Sequence, residues 1–484
     1  MRAKESSLKE ILESEPHRLE VPFFQRKYVW KEENWDELLD SLDNFSTDKV
    51  FWGSIIIKKI SQSDPGKTYS KGYIIDGQQR LTTIAILTKA IYDLLSESGK
   101  KRAKKHIEND IFFAPIASAS FDEHEYEIII KHSRIDNEEF NYIIKAGIYD
   151  DNSTDIAYEM DMSSQIRKCY AYFKMKLKDK KDEELLAINN SLYGDEKVFV
   201  NISLDERDIN EQVIFDSINR AGQKLFTSDI IKNNLFKQLI SAGVSTWDTG
   251  KMCDTYWDAI FWPGDEDNVW DQKRQFGNVG KSQLDFLLYC VACIEWPNVD
   301  VKKVNEKLEP VFEEQTKNYS VNQLETLIQK IAKIALIYRK YIIDFAEDID
   351  KQDFSEKDNV RRLLLIMEKF KIQMFYLYVL KCLLSNIKVY KNDKLEIECD
   401  LTNPELNNAF FKLETFLIRR RICGTGTSTY SGICSNIIKN GIEKLYAGTT
   451  PEDVAGENKV ILQNIKAVKL DVARMILFCL ELTR

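Results

Sequence analysis

One short stretch, YIIDGQQRLTT at residues 73–83, constrains the fold of this chain more than any other. The β-branched residues at its start predict a strand, and Gly77 permits a tight turn directly after it. Beyond the turn, apolar residues recur every three or four positions from Leu81 to Leu95, which predicts a helix with a buried face. The chain therefore contains a strand that ends, turns sharply and enters a core helix.

The residue types at this turn suit an anionic ligand. The first amides of a helix have no acceptor within it and lie at the positive end of its dipole, where a phosphate fits. Gly77 lets a ligand approach the backbone, and Arg80 offers a fork of donors for phosphate oxygens. Asp76 can cap the helix or hold Mg²⁺ beside the phosphates, and Gln78 and Gln79 can orient a water or read polar ligand edges. Because Asp and Gly are also common at helix starts, a purely structural turn is the alternative.

Length and periodicity predict two domains. A chain of 484 residues exceeds what one hydrophobic core organises, and 44% hydrophobic residues are ample for folding. Strand and helix patterns alternate before about residue 240, whereas the later periodicity is almost wholly helical. We therefore expect an α+β fold, with a mixed domain at 1–240 and a largely all-α domain at 241–484.

The patterns also predict individual elements. Helices are expected at 5–14 and 30–42, an extended segment at 19–28, and strands at 50–60, 73–75 and 197–204. A helix, turn and helix are expected over 211–239, with the break near Gly222. Later helical runs are expected at 281–295, 320–348, 358–386, 405–422 and 456–482, with a Gly/Thr/Ser-rich loop at 424–432.

Charge and cysteine usage narrow the class of protein. The net charge of −9 argues against a protein that coats nucleic acid non-specifically, although a local basic groove is compatible with it. The cysteines lie singly or in apolar runs, so we expect reduced thiols in a cytoplasmic protein. The pair Cys290 and Cys293 lies in an apolar helical run and is interpreted as core rather than metal site. We find neither a signal segment, a membrane span, a P-loop nor an HExxH motif.

Further segments accompany the turn in a fixed order. VPFFQRKYVW (21–30) and FWGSIIIKK (51–59) precede it, and FDSINRAGQKLFTSDIIKNNLF (215–236) and LETFLIRRRICG (413–424) follow it. With DGQQRLTT, this series resembles the DGQQR domain of GmrSD-type and SspE-type restriction proteins, which is related to the ParB/sulfiredoxin fold. The resemblance spans most of the chain and implies a ParB/sulfiredoxin-like N-terminal domain followed by a helical one.

The resemblance also implies which residues bind and hydrolyse a nucleotide. The catalytic candidates are Asp76, Gln78, Gln79 and Arg80, with Asp76 also the candidate metal ligand. The nucleotide-binding candidates are Gln25, Arg26, Gly53, Ser54, Gly77, Thr82, Thr83, Asn219, Gly222, Lys232 and Asn233. Arg26 and Arg80 would neutralise a triphosphate, and Lys232 would add a further positive charge. Asp229 fits a helix cap better than a ligand contact, and the aromatic residues Tyr28 and Trp30 fit either a base stack or, more simply, the core.

The implied cofactors are a nucleoside triphosphate, with GTP, UTP, CTP and ATP undistinguished, and Mg²⁺. The implied function is NTP hydrolysis coupled to the restriction of modified phage DNA. In the alternative, the pocket senses a nucleotide or a DNA modification and regulates a separate nuclease subunit without turnover.

Two basic segments are candidates for contact with DNA. One comprises Lys100, Lys101, Arg102, Lys104 and Lys105, and the other contains Arg419 and Arg420. For the first segment a solvated surface is the simpler interpretation. The adjacent arginines Arg419, Arg420 and Arg421 cannot all face one way, so at least one is expected in a buried ion pair and one or two in contact with a nucleotide or DNA. The four histidines end at His132, whereas the resembled proteins commonly carry a C-terminal HNH-type nuclease domain, in which histidines activate water. We therefore expect a separate nuclease domain or subunit as partner, and no DNA cleavage by this chain alone; the oligomeric state stays unassigned.

Overall fold

A computed structural model of the chain divides into two compact units, Met1–Leu225 and Phe226–Arg484. The sequence placed the boundary near residue 240, and the helix Thr227–Ser241 lies wholly in the second unit. The structure describes residues 2–14, 16, 18–22, 25, 27–43, 50–60, 71–104, 107, 112–115, 126–132, 134–148, 164–204, 227–262, 268–276, 279–347, 359–391, 395–447 and 451–464.

A six-stranded mixed sheet organises the first unit. Its strands are β1 (Arg2–Ser6), β2 (Arg18–Glu20), β3 (Gly53–Ile60), β4 (Lys71–Asp76), β7 (Ile130–Lys131) and β8 (Phe199–Leu204). Two further short strands, β5 (Phe113–Pro115) and β6 (Tyr126–Ile128), pair only with each other. The spatial order is β1-β8-β3-β4-β2-β7. The pairs β1/β8 and β3/β4 are antiparallel, whereas β8/β3, β4/β2 and β2/β7 are parallel.

Helices cover this sheet. They are α1 (Leu8–Glu13), α2 (Glu32–Asp43), α3 (Gln78–Leu94), α4 (Glu97–Lys104), α5 (Arg134–Lys145), α6 (Gln165–Leu177) and α7 (Asp182–Tyr193). The sequence predicted one buried face on α3, but nearly every residue of α3 from Gln78 to Tyr92 is buried. A helix that is buried all round lies at the centre of its domain, so α3 fixes the turn that precedes it.

The N-terminal helix begins later than predicted. Residues 2–6 form β1 instead of the first turn of a helix, because they pair with β8, which lies far away in sequence. Ser7 then caps α1, and its side chain and that of Glu10 bond to each other's backbone amides. Long-range pairing has overridden a local helical pattern here.

The second unit is largely helical, as predicted. Its helices are α8 (Thr227–Ser241), α9 (Thr246–Cys253), α10 (Ala259–Phe261), α11 (Gln283–Glu295), α12 (Val301–Glu306), α13 (Leu308–Thr316), α14 (Val321–Tyr338), α15 (Asp344–Glu347), α16 (Asn359–Lys369), α17 (Tyr376–Ser385), α18 (Pro404–Ile422), α19 (Tyr430–Asn440) and α20 (Pro451–Asn464). Two hairpins that the sequence did not predict are β9 (Lys273–Phe276) with β10 (Val279–Ser282), and β11 (Ile387–Lys391) with β12 (Glu396–Cys399).

Details of this unit refine the sequence interpretation. The run predicted at 358–386 is two helices, and between them Lys371 takes a positive φ of 55°. Cys290 and Cys293 lie on the buried α11, where burial raises the pKa of both thiols, so their interpretation as core is confirmed. In the described part of the chain, no helix combines the length and apolarity needed to span a bilayer.

Candidate functional site

The predicted strand, turn and helix are present at residues 71–94. Strand β4 ends at Asp76, Gly77 turns the chain with φ 92°, and α3 begins at Gln78. A Cβ atom at Gly77 would lie 3.0 Å from Ile55 Cγ1 and 3.2 Å from the Ser54 carbonyl oxygen. Both the positive φ and the close passage of β3 therefore require glycine here.

Arg80 lies against the beginning of β3. Its Nη1 donates to the Ser54 carbonyl oxygen at 3.0 Å, and a Cβ atom at Gly53 would lie only 2.9 Å from Arg80 Cζ. Gly53 has φ 103° and no side chain, so the Arg80 guanidinium can lie directly against the backbone at this position. Among the described residues, no carboxylate lies within ion-pairing distance of Arg80, which is half-buried. Its charge is thus positioned at the start of α3 and is not neutralised by this part of the protein.

Two glutamines tie the segment 25–29 to the turn. Gln25 Nε2 donates to the Ile75 carbonyl at 3.2 Å. Gln79 Oε1 accepts from the amide of Val29 at 2.9 Å, while its Nε2 donates to the Lys27 carbonyl at 3.1 Å. Both polar ends of Gln79 are therefore engaged, and a catalytic role for Gln79 would require these bonds to break. The structure gives Gln25 and Gln79 the role of holding two segments together.

The two threonines after the turn point into the core. Each hydroxyl donates to a carbonyl one helical turn earlier, at 2.7 Å for Thr82 and 2.8 Å for Thr83. Thr82 Oγ1 also lies 3.1 Å from His132 Nε2, and Thr83 Oγ1 lies 2.6 Å from the Tyr28 hydroxyl. Both threonines are buried. This placement does not fit the prediction that they contact the nucleotide, because their hydroxyls face protein on the inner side of α3.

Tyr28 belongs to the core, which decides between the two interpretations of that residue. Its side chain is buried, and its hydroxyl accepts from Trp35 Nε1 at 2.8 Å. Trp30 is half-buried and packs against the same hydrophobic cluster. Tyr28 and Trp30 thus serve to anchor the motif in the core.

Two titratable groups near the turn, the buried His132 and the half-buried Asp136, have shifted pKa values, and sequence reasoning did not assign either. Burial lowers the pKa of His132 to about 3, so the imidazole stays neutral beside Thr82. Burial raises the pKa of Asp136 to about 6, although its carboxylate accepts the Tyr28 amide at 2.7 Å. Because these groups are identified by tertiary burial, their spacing in the sequence carries no signal of them.

The residues at the turn are compatible with Mg²⁺. Mg²⁺ commonly takes one or two protein carboxylates and completes its shell with water and substrate phosphates. Asp76, half-buried at the end of β4, supplies one such carboxylate. The described residues contain no cluster of three His, Cys, Asp or Glu side chains that could hold a metal ion unaided. Any Mg²⁺ here would therefore depend on the phosphates of its nucleotide.

The candidates from the 215–236 motif fall into two groups. Asn219 and Gly222 lie outside the described residues, as do Arg26 and Lys105. Lys232 is fully buried in the second unit, where its Nζ lies 2.8 Å from Asp258 Oδ1 and 3.8 Å from the centroid of the Trp262 ring. To meet a phosphate, Lys232 would have to leave this ion pair. Asp229 and Asn233 lie on the same helix, with Asp229 buried in its first turn.

The two basic segments differ in how their charges are arranged. On α4, Lys100 lies 3.9 Å from Glu97 and Arg102 lies 3.6 Å from Asp182, while Lys101 and Lys104 are exposed. On α18, Arg419 lies 3.3 Å from Glu457, whereas Arg420 packs against the rings of Phe416 and Tyr430.

An open cleft of about 460 Å³ lies elsewhere in the first unit. It is lined by Lys31, Glu32, Glu33, Trp35, Gln165, Lys168, Ala171, Tyr172 and Met175. None of these is among the predicted site residues, so the candidate site is defined by the chemistry of the turn and not by this cleft.

Comparison with known proteins gives a family match whose range includes the turn. Residues 8–236 match the family profile described as the GmrSD restriction endonuclease, N-terminal domain. The chain is also 24% identical over 248 residues to an uncharacterized protein of Methanocaldococcus jannaschii. That alignment covers 45% of this chain and 39% of the archaeal protein.

Proposed function

Residues 8–236 match the N-terminal domain of the GmrSD restriction endonuclease family. From this premise we propose that the chain binds and hydrolyses a nucleoside triphosphate within a restriction system that recognises modified DNA. The family assignment supports a role in restriction. The nucleotide chemistry is argued from the turn at 76–80.

One observation carries the proposal: Arg80 lies flat over Gly53 at the start of a buried helix, with no carboxylate of the described residues beside it. A half-buried cation without a protein counter-ion is expected to take an anionic ligand. Gly77 contributes no side-chain cap to α3, so the first amides of the helix and the Arg80 guanidinium act on the same region. A triphosphate, with several charged oxygens, fits this combination of donors.

We assign separate roles to the other residues of the motif. Asp76 would hold Mg²⁺, which when bound offsets phosphate charge and polarises the bond to be broken. Gln78, the first residue of α3, is the candidate to orient the attacking water. Gln25 and Gln79 act as positioning residues, since their amides fix segment 25–29 against the turn.

The test is Arg80→Ala, compared with Arg102→Ala, which removes the same charge from the exposed surface of α4. Loss of a charge-assisted contact should weaken nucleotide binding by about 10- to 100-fold. The fold should survive, because Arg80 makes one side-chain hydrogen bond to the residues that the structure describes. Binding is measured by calorimetry and hydrolysis by phosphate release, with and without modified DNA. A folded Arg80→Ala protein that binds as tightly as the Arg102→Ala control would refute the site.

A non-catalytic sensor is the second candidate, and the state of Gln79 favours it. The side-chain oxygen and nitrogen of Gln79 both form hydrogen bonds with backbone groups. One of the two glutamines that were expected to orient water is therefore already engaged. A sensor would bind nucleotide with the same dependence on Arg80 but release no phosphate, whether or not modified DNA is present. The phosphate-release assay therefore separates the two candidates.

A further inference from the structure

We propose that the second unit carries a separate surface for the phosphodiester backbone of duplex DNA, formed by Arg420, Arg421, Lys371 and the loop 424–429. The choice of DNA among polyanions rests on the proposed function. The surface itself is argued from charge and geometry within the second unit.

The three adjacent arginines at the end of α18 have different environments. Arg419 is neutralised by Glu457. Arg420 Cζ lies 5.3 Å from the centroid of the Phe416 ring and 5.5 Å from that of Tyr430, and Arg421 Cζ lies 5.3 Å from that of Phe370. Stacking holds a guanidinium in place while leaving its N–H groups able to donate in the ring plane. Arg420 and Arg421 are therefore held in position without being neutralised.

The carboxylates that pack nearby are already committed to other cations. Glu368 accepts from Arg274, Glu414 pairs with the buried Arg362, and Glu457 pairs with Arg419. In the described part of the chain, no carboxylate lies within ion-pairing distance of Arg420 or Arg421. Positive charge is thus left over locally in a protein whose net charge is −9. Such an excess is expected to attract an anion from outside the chain.

The loop after α18 offers room and hydroxyl donors. Residues 424–429 are all exposed, and among them are the hydroxyl groups of Thr425, Thr427, Ser428 and Thr429. A Cβ atom at Gly426 would meet nothing within 4 Å, and its φ is not positive, so nothing in the protein itself requires glycine there. The missing side chain does, however, allow a ligand backbone to come close. Arg420 Nη2 donates to Thr429 Oγ1 at 3.1 Å, which ties the arginine to this loop.

A residue with a positive φ follows the ring that Arg421 contacts. Lys371 follows Phe370, the residue whose ring supports Arg421, and it is exposed with φ 55°. Among the described residues it is the one non-glycine with a positive φ. This φ ends α16, because the amides of Lys371 and Ile372 donate to the carbonyls of Glu368 and Met367. A third cation thus lies one residue after the ring that Arg421 contacts.

An extended polyanion suits this surface better than a free nucleotide. Arg420 and Arg421 lie in the last turn of α18, and Lys371 and the hydroxyls lie on exposed residues of two inter-helix connections. Backbone recognition in nucleic acid complexes relies on such Arg, Lys, Ser and Thr contacts. These contacts carry no sequence information, so we expect affinity that depends strongly on salt and little on sequence.

The experiment measures binding of the full chain to a short unmodified DNA duplex across a salt series. Arg421→Gln should reduce the slope of log affinity against log salt by about 1, and Arg420→Gln/Arg421→Gln by about 2. Thr427→Glu, which places negative charge on the exposed loop, should also weaken binding. The matched control is Lys412→Ala on the same helix. Lys412 is already paired with Glu443 at 2.6 Å, so its removal should leave DNA binding unchanged.

Nucleotide binding in the absence of DNA is measured on the same variants and should be unchanged, which separates this surface from the site at Arg80. The surface is refuted if Arg421→Gln and Thr427→Glu bind DNA with the wild-type slope. Loss of slope in Lys101→Ala alone would place the DNA on α4 instead. A preference for RNA duplex over DNA duplex would overturn the choice of DNA.

Discussion

At the residue scale, glycines and amides shape the candidate site more than charged groups do. Gly53 and Gly77 lie on either side of the contact between β3 and the turn, and each has a positive φ. Without side chains at these two positions, β3, the turn and Arg80 come within van der Waals contact. The Arg80 guanidinium owes its position to the space that Gly53 leaves.

Gly53→Ala should therefore impair nucleotide binding more than it impairs folding. The added methyl group would lie 2.9 Å from Arg80 Cζ, so the guanidinium must move. We expect affinity to fall by about 10-fold or more, the loss expected for a displaced charge-assisted contact.

Gly243→Ala provides the matched control for backbone strain. Gly243 has φ 93°, but a Cβ atom there would meet nothing within 4 Å. Both variants should lose roughly 1–3 kcal/mol of stability from the positive φ, and the Gly53 variant alone should lose nucleotide affinity. Equal nucleotide affinity in the two variants would show that Arg80 does not depend on Gly53. Calorimetry and denaturant unfolding supply the two readouts.

At the element scale, the position of the site depends on the hydrogen bonds that Thr82 and Thr83 form on the buried side of α3. Thr82 contacts His132, which directly follows β7, and Thr83 contacts Tyr28 in the segment after β2. The helix start is thus fixed to two other parts of the unit. Loosening either contact is expected to act on the turn at residues 76–80.

The stability of this unit should fall in acid because of His132. Its folded pKa is about 3, below the ordinary value of 6.5, so below pH 6.5 the unfolded chain takes up a proton that the folded protein refuses. The contribution of His132 is complete above pH 6.5 and is lost as the pH falls towards 3, by up to about 1.4 kcal/mol per pH unit.

His132→Asn tests this sign, because an amide can bond to Thr82 but does not titrate. The difference in unfolding free energy between wild type and variant should shrink as the pH falls from 7 to 4. Asp136 acts in the opposite direction between its ordinary pKa of 3.8 and its folded pKa of about 6, but it is present in both proteins and cancels in the difference. A difference that stays constant with pH would mean that His132 is not buried in the neutral form.

Local elements were predictable from the sequence, whereas the contacts between them were not. The strand, turn and helix at 71–94 follow from residue periodicity and a glycine. The hydrogen bonds of Gln79 to Lys27 and Val29 join residues about 50 positions apart. Nothing in the local sequence pattern distinguishes this structural glutamine from a catalytic one. The threonines of DGQQRLTT were assigned to the ligand for the same reason, since only the packed structure shows which side of α3 they occupy.

At the scale of the whole molecule, a sheet organises the first unit, whereas the second is largely helical, and the contacts of Lys232 lie within the second. In the sequence this lysine lies in a motif that resembles one of the GmrSD-type and SspE-type restriction proteins, and we expected it to add charge to the phosphate site. In the structure it is buried within the second unit against Asp258 and Trp262. Its most direct role is to stabilise the connection between α8 and the segment before α10.

Lys232→Ala should therefore destabilise the second unit and leave nucleotide affinity unchanged. Removing one partner of a buried ion pair leaves the other charge uncompensated, which typically costs about 3–5 kcal/mol. Lys251→Ala, at an exposed lysine on α9, should have little effect. Thermal unfolding and nucleotide calorimetry on both variants provide the check. Reduced nucleotide affinity at unchanged stability would instead show that Lys232 leaves Asp258 to reach the ligand.

The position of β8 in the sheet has a consequence for how the protein is made. β8 lies between β1 and β3, yet the ribosome synthesises it after all the other strands of that sheet. Until residue 204 has left the exit tunnel, β1 has no partner, and β3, which contains Ile55, Ile56 and Ile57, presents an open edge. Open apolar edges promote aggregation, and such distant pairings slow folding. A nascent chain stalled before β8 is therefore expected to depend on chaperones, and one stalled just beyond it can close its sheet.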